Sequence, residues 1–156
     1  GAAEGLQAWG PSPEPGRSVV VYEADGLVVS AFTTQDDAAA GRVGYRFDYG
    51  GRSIVVGGDG RMASASAAAN ADVVLQSVQS ASSGRSSGRA TAAEAAAQAR
   101  DANAGMVVLT GASSQIEAQV QVAEARSTGF GDVVAGRVGM MVELPRDNME
   151  INVRPL

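Results

Sequence analysis

Residues 55–62 read VVGGDGRM, an apolar run that breaks into a glycine-rich tip around one carboxylate, Asp59. Open α/β sheets gather their reactive groups at the carboxyl ends of strands. Asp59 therefore stands where a hard-cation ligand, a general acid or base, or a turn-stabilising carboxylate would stand. The company it keeps decides among these. The chain has no His and no Cys, and all 12 of its basic residues are Arg. A Ser-His-Asp or Cys-His nucleophile pair is therefore excluded, as are nitrogen- and sulfur-ligand zinc sites. The absence of Lys removes a Schiff-base amine and the P-loop lysine. Carboxylate chemistry remains: an oxygen-only Mg²⁺ or Ca²⁺ site, or an acid and base pair such as Asp36 with Asp59.

The elements that would position Asp59 follow from local pattern. Residues 1–16 hold three of the five prolines with no periodicity, which predicts an irregular leader whose one apolar anchor is Trp9. Residues 17–23 and 27–33 are β-branched runs around an Ala-Asp-Gly turn, hence a hairpin. A polar loop over 34–42 precedes a second hairpin, 43–49 and 52–56 around Gly50-Gly51, which delivers the chain to Asp59. Residues 62–70 predict a short helix, 72–78 a buried strand and 79–90 a Ser/Gly/Arg loop. Thr91 and Glu94 form a capping box, starting a helix that Gly105 stops. A strand at 106–110, a helix at 115–127 and two or three terminal strands complete an α/β order.

With 156 residues, 45% of them apolar, the chain is one domain, and its core is built largely from Ala and Val because aromatics make up only 4%. A net charge of −5 argues against a nucleic-acid partner, which needs a basic face. No run approaches the ~20 apolar residues of a membrane span. The N-terminus lacks a signal-peptide pattern, so a cytoplasmic protein with no membrane partner is expected.

The segments GYRFDYGGRSIVVGGDG, ADVVLQSV, TAAEAAAQA and MVVLTG, at their spacings, resemble the C-terminal half of the metallo-β-lactamase fold, in its ribonuclease-Z-like and arylsulfatase-like branch. The likeness spans roughly residues 20–143, and it makes residues 17–156 a single truncated domain of that fold. By this resemblance Asp59 matches the carboxylate that bridges two metals. The other ligand positions are matched by Asp36 (with Gln35 and Asp37 beside it), Gln76, Arg89 and Gly111. None of these replacements is a His, so the resemblance implies an emptied site, no catalytic residue and no resident metal or cofactor: a pseudoenzyme. Two readings of Asp59 stay open. One is a cation ligand shared with Asp36 or Asp37; the other, which carries more weight, is a turn residue accepting backbone hydrogen bonds.

The complete fold is a four-layer αββα sandwich, and half of it would leave one sheet face bare, which marks an association surface. A homodimer packed sheet to sheet is expected to complete the sandwich, with a heterodimer as the competing arrangement. Shortened, ligand-free relatives of this fold serve as peptide-binding accessory proteins in pathways for ribosomally made, modified peptides, among them that of crocagin. The resemblance thus implies a non-catalytic protein that binds a precursor peptide. Gln76, Arg85 and Arg89 are its candidate contacts, while Tyr45 and Phe47, alternating in one strand, are expected in the core. The alternatives are a metal-independent or Mg-dependent hydrolase, and a scaffold subunit of a larger enzyme.

Overall fold

The computed structural model describes residues 17–34, 42–62, 64–79 and 88–155. The strands are β1 (Ser18–Ala24), β2 (Leu27–Thr33), β3 (Val43–Tyr49), β4 (Arg52–Val56), β5 (Val73–Gln79), β6 (Ala90–Thr91), β7 (Met106–Thr110), β8 (Val133–Ala135), β9 (Met141–Glu143) and β10 (Asn152–Arg154). Two helices, α1 (Ala92–Asp101) and α2 (Gln115–Arg126), and a 3-10 turn over Ala65–Ala68 separate them. The first eight strands form one sheet in the order β1-β2-β3-β4-β5-β7-β8, with β6 beside the end of β5. β9 and β10 pair apart from it.

The sheet joins two kinds of pairing. β1 to β4 run antiparallel through two tight turns, Asp25-Gly26 and Gly50-Gly51, and all four turn residues have positive φ, as two-residue hairpins require. From β4 onward, β5, β7 and β8 are parallel. Their connections carry the helices onto one face, where Val55, Val74, Val107 and Val133 stand in register across four strands. Against these pack Ala92, Ala95, Ala96 and Ala99 of α1 and Ala125 of α2. Alanine-rich helices approach a valine sheet closely, so this core is tight despite its small side chains.

Both helices begin on capped turns. Thr91 Oγ1 accepts from the Glu94 N–H while Glu94 Oε2 accepts from the Thr91 N–H, the capping box expected from sequence. Its stop differs from expectation. Asn103, at φ 55, takes the left-handed position after Asp101, and the Ala104 N–H reaches back to the Ala99 carbonyl. That closes α1 before Gly105, since Asn tolerates the left-handed region almost as glycine does. The helix expected over 62–70 shortens to the 3-10 turn, whose following residue, Ala69, gives its carbonyl to Arg46.

Among the described residues the opposite face carries no helix, yet it is not bare throughout. The C-terminal segment is fastened to it by Arg52, whose guanidinium is buried and donates to the carbonyls of Pro145, Asn148 and Glu150 and to Asp72. Leu144 and Arg146 thereby reach Ile54, and Ile151 lies against Gly105. Val19 and Tyr22 of β1 lie beyond this cover among the described residues, while Phe47 and Tyr49 of β3 stand at its border, where the Arg146 guanidinium lies over the Tyr49 ring. The four share the face and are 37% to 52% exposed.

Candidate functional site

Four of the expected positions meet at the carboxyl ends of β4, β5 and β7. β4 runs out at Val56, and the glycine tip folds over the sheet: the Gly57 N–H donates to the Leu75 carbonyl, and the Gly58 carbonyl accepts from the Ser77 N–H. Asp59 projects from this tip and is 56% exposed. Below it on the helix-free face lies a 360 Å³ depression lined by Val56, Leu75, Ser77 and Thr110 as well as the tip itself. Gly111 follows Thr110 at the end of β7, and Arg89 enters just ahead of β6.

The environment of Asp59 differs from the turn-stabilising role expected of it. It accepts no backbone hydrogen bond among the described residues, and its partner is the Arg89 guanidinium, 3.5 Å away with both side chains about half exposed. Exposure screens such a pair, so it orients the two groups more than it stabilises the fold. A second ion pair lies beside it, Arg61 with Glu94 at 3.2 Å. Glu94 also closes the capping box, so the tip and the start of α1 are tied together.

Gln76 is fully buried on the helix side of β5. Its Nε2 donates toward the carbonyls of Gly58, Gly60 and Ser77, each at 3.0 Å, so its amide hydrogens are committed to the tip. Gly111 has φ +100, and a Cβ there would press on the Val78 carbonyl, so that position favours glycine on steric grounds. Asp36, with Gln35 and Asp37, and Arg85 lie outside the described residues, as do Trp9 and the whole leader. Tyr45 is half-buried and Phe47 exposed, their rings 6.5 Å apart; Phe47 thus lies on the open face and not in the core where alternation put it. Alternation reports which residues share a face, and only the far side of the sheet decides whether that face is covered.

These residues do not fit the dinuclear metal site that the resemblance associates with this fold. A two-metal site wants several imidazole or carboxylate ligands converging. Here one carboxylate faces a guanidinium, Gln76 turns to the helix side of the sheet with its amide nitrogen committed to backbone carbonyls, and Gly111 offers no side chain. Among the described residues no three His, Cys, Asp or Glu side chains gather as a metal-binding group.

Comparison with known proteins bears on the fold. No family model and no curated protein sequence matches the chain. Among solved structures, the metallo-β-lactamase fold protein YhfI from Bacillus subtilis superposes with a TM-score of 0.62 at 20% identity, over 80% of this chain and 50% of that one. Human tRNase Z, short form, superposes with a TM-score of 0.51 at 20% identity, over 59% of this chain and 38% of that one. The architecture is thus that of a metallo-β-lactamase fold half, one large mixed sheet with two helices. The chain spans no more than half the length of either structure. No helix among the described residues is long and apolar enough to cross a membrane.

Proposed function

We propose that this chain is a non-catalytic peptide-binding protein that pairs with a second copy of itself and receives an extended segment, in keeping with a precursor peptide of a ribosomally made, modified product. The observation that carries the reading is the open antiparallel half of the sheet. β1 is an edge strand with no neighbour on its outer side among the described residues, and its residues Ser18 to Glu23 are all exposed. On the helix-free face β1 itself presents Tyr22, and Phe47 and Tyr49 follow on β3, one strand further in. An unpaired edge supplies backbone hydrogen bonds to an added strand, and a neighbouring aromatic surface supplies pockets for its alternate side chains.

Self-pairing is the part of the proposal that draws on the helix-free face, with the β1 edge left to the extended segment. A contiguous exposed apolar face is an association surface, and a two-fold axis lets one patch cover its own copy. On this reading Arg89, which pairs with Asp59, would exchange that carboxylate for one of the bound segment, and Arg85 is the other candidate contact. Fluorescence anisotropy of a labelled precursor peptide tests the reading. Saturable binding that weakens in Phe47→Ser is expected, and no binding to any peptide of the producing pathway contradicts it.

A second reading draws on the fold shared with a tRNase Z: a hydrolase acting through Asp59, either metal-independent or Mg²⁺-dependent. It requires turnover that Asp59→Ala abolishes while the protein stays folded. Peptide binding, by contrast, survives that substitution.

A further inference from the structure

Gln76 supplies an arrangement that the peptide reading does not use. Three carbonyl oxygens, of Gly58, Gly60 and Ser77, converge at 3.0 Å on one amide nitrogen, although an NH₂ group has only two hydrogens to share. Its orientation is fixed by chemistry, because turning the amide over would aim Oε1 at three other oxygens. The Oε1 so placed is buried and meets no hydrogen-bond donor among the described residues. It also fills the space a side chain at Gly57 would need, since a Cβ there collides with it. Residues 57 and 76 are thus a matched pair, the missing side chain of one making room for the amide of the other. Leaving a buried acceptor unmet is destabilising, and it is tolerated here because the other end of the same amide gathers the tip.

Loops rich in carbonyl oxygens around a carboxylate are often organised by a hard cation. In this molecule the chain's own groups stand in those places: the Gln76 amide beneath the tip, Arg89 against Asp59, and Arg61 bound to Glu94 at the entry of α1. We infer that Gln76 is the positioning residue of the GGDG tip, and that the shape of the tip is set by this amide without dependence on a divalent cation. The inference stands apart from the peptide reading and survives its failure.

The test follows the backbone amide resonances of Gly58, Asp59 and Gly60 in the full chain. In the wild type these resonances stay in place on addition of EDTA and then of Mg²⁺, Ca²⁺ or Zn²⁺. Gln76→Leu displaces them while those of β2 and β3 hold still, and Gly57→Ala, a second route to the same amide, displaces them too. Gln76→Glu adds a pH profile: its ionised carboxylate has no hydrogen to give three carbonyls, and burial raises its pKa above the ordinary carboxylate range. The tip is therefore displaced on the alkaline side of that raised pKa, where the carboxyl is ionised, and moves back toward its wild-type position as the pH falls through it and the acid regains one donor. Saturable shifts of the wild-type tip with any of these cations, tip resonances unmoved in both Gln76→Leu and Gly57→Ala, or a pH-independent Gln76→Glu overturns the inference.

Discussion

The parallel and antiparallel halves of the one sheet solve burial in opposite ways. Around β5 and β7 the layers are closed up to the depression at their carboxyl ends: Val73, Val74, Val107 and Val108 are all at most 4% exposed, with helices on one side and the C-terminal segment reaching the other. Around β1 to β3 the same kind of β-branched and aromatic residues stand in the open, Val19 and Tyr22 at about half exposure. Composition does not separate the two halves; coverage does. The difference teaches that one half of the sheet is buried by the chain itself and the other is left exposed among the described residues, and substitutions in each half should report it in different observables.

The largest effect belongs to the closed half. Arg52→Ala leaves Asp72 buried without its guanidinium and releases three carbonyls of the C-terminal segment, and a loss of ~3–5 kcal/mol in chemical denaturation is expected. Leu109→Ala, at 2% exposure, opens a cavity against α1 and should lower unfolding stability by ~2–5 kcal/mol. Phe47→Ser in the open half sharpens the contrast: concentration-dependent association weakens, while the stability measured on dilute, dissociated protein changes by less than ~1 kcal/mol. If Phe47→Ser costs as much as Leu109→Ala in the dissociated protein, the two halves are not distinct.

Smaller effects mark the helix starts. Thr91→Ala removes the side-chain half of the capping box and is expected to lower stability by ~1 kcal/mol, read from a thermal melt. Glu117, at the start of α2, accepts hydrogen bonds from the Ser113 hydroxyl and backbone N–H, which hold its carboxyl below the ordinary carboxylate pKa. A depressed folded-state pKa gives a contribution that is present above the unfolded value and lost as the pH falls through the folded one. The carboxyl carbon of Glu117 should therefore titrate at lower pH than that of an unpartnered Glu, and Ser113→Ala should move it back up.

Much of the framework was legible because it rests on local chemistry. The two hairpins follow from Asp25-Gly26 and Gly50-Gly51, α1 from Thr91 and Glu94, and β2, β3, β4 and β7 fall on the residues their patterns mark. What escaped was decided by contacts distant in sequence. Nothing in the run around Arg52 announces that it will hold carbonyls some 95 residues on, although a lone Arg opening an apolar strand is a cue for a buried partner. Asp59 was legible as a tip residue, but its pairing with Arg89 depends on β6 lying beside β5. Gln76 read as a vestigial ligand position and a candidate peptide contact at a strand end. Its burial beneath the tip shows only once Gly57 and Gly60 are folded over it.

The claim that the open half of this sheet is an association surface is tested most directly by sedimentation velocity of the full chain at micromolar concentration, with Phe47→Glu beside it. A dimer for the wild type and a folded monomer for the variant is the expected pair of results. A wild-type chain that sediments as a monomer at every concentration, with its aromatic face still open to water, would contradict the account.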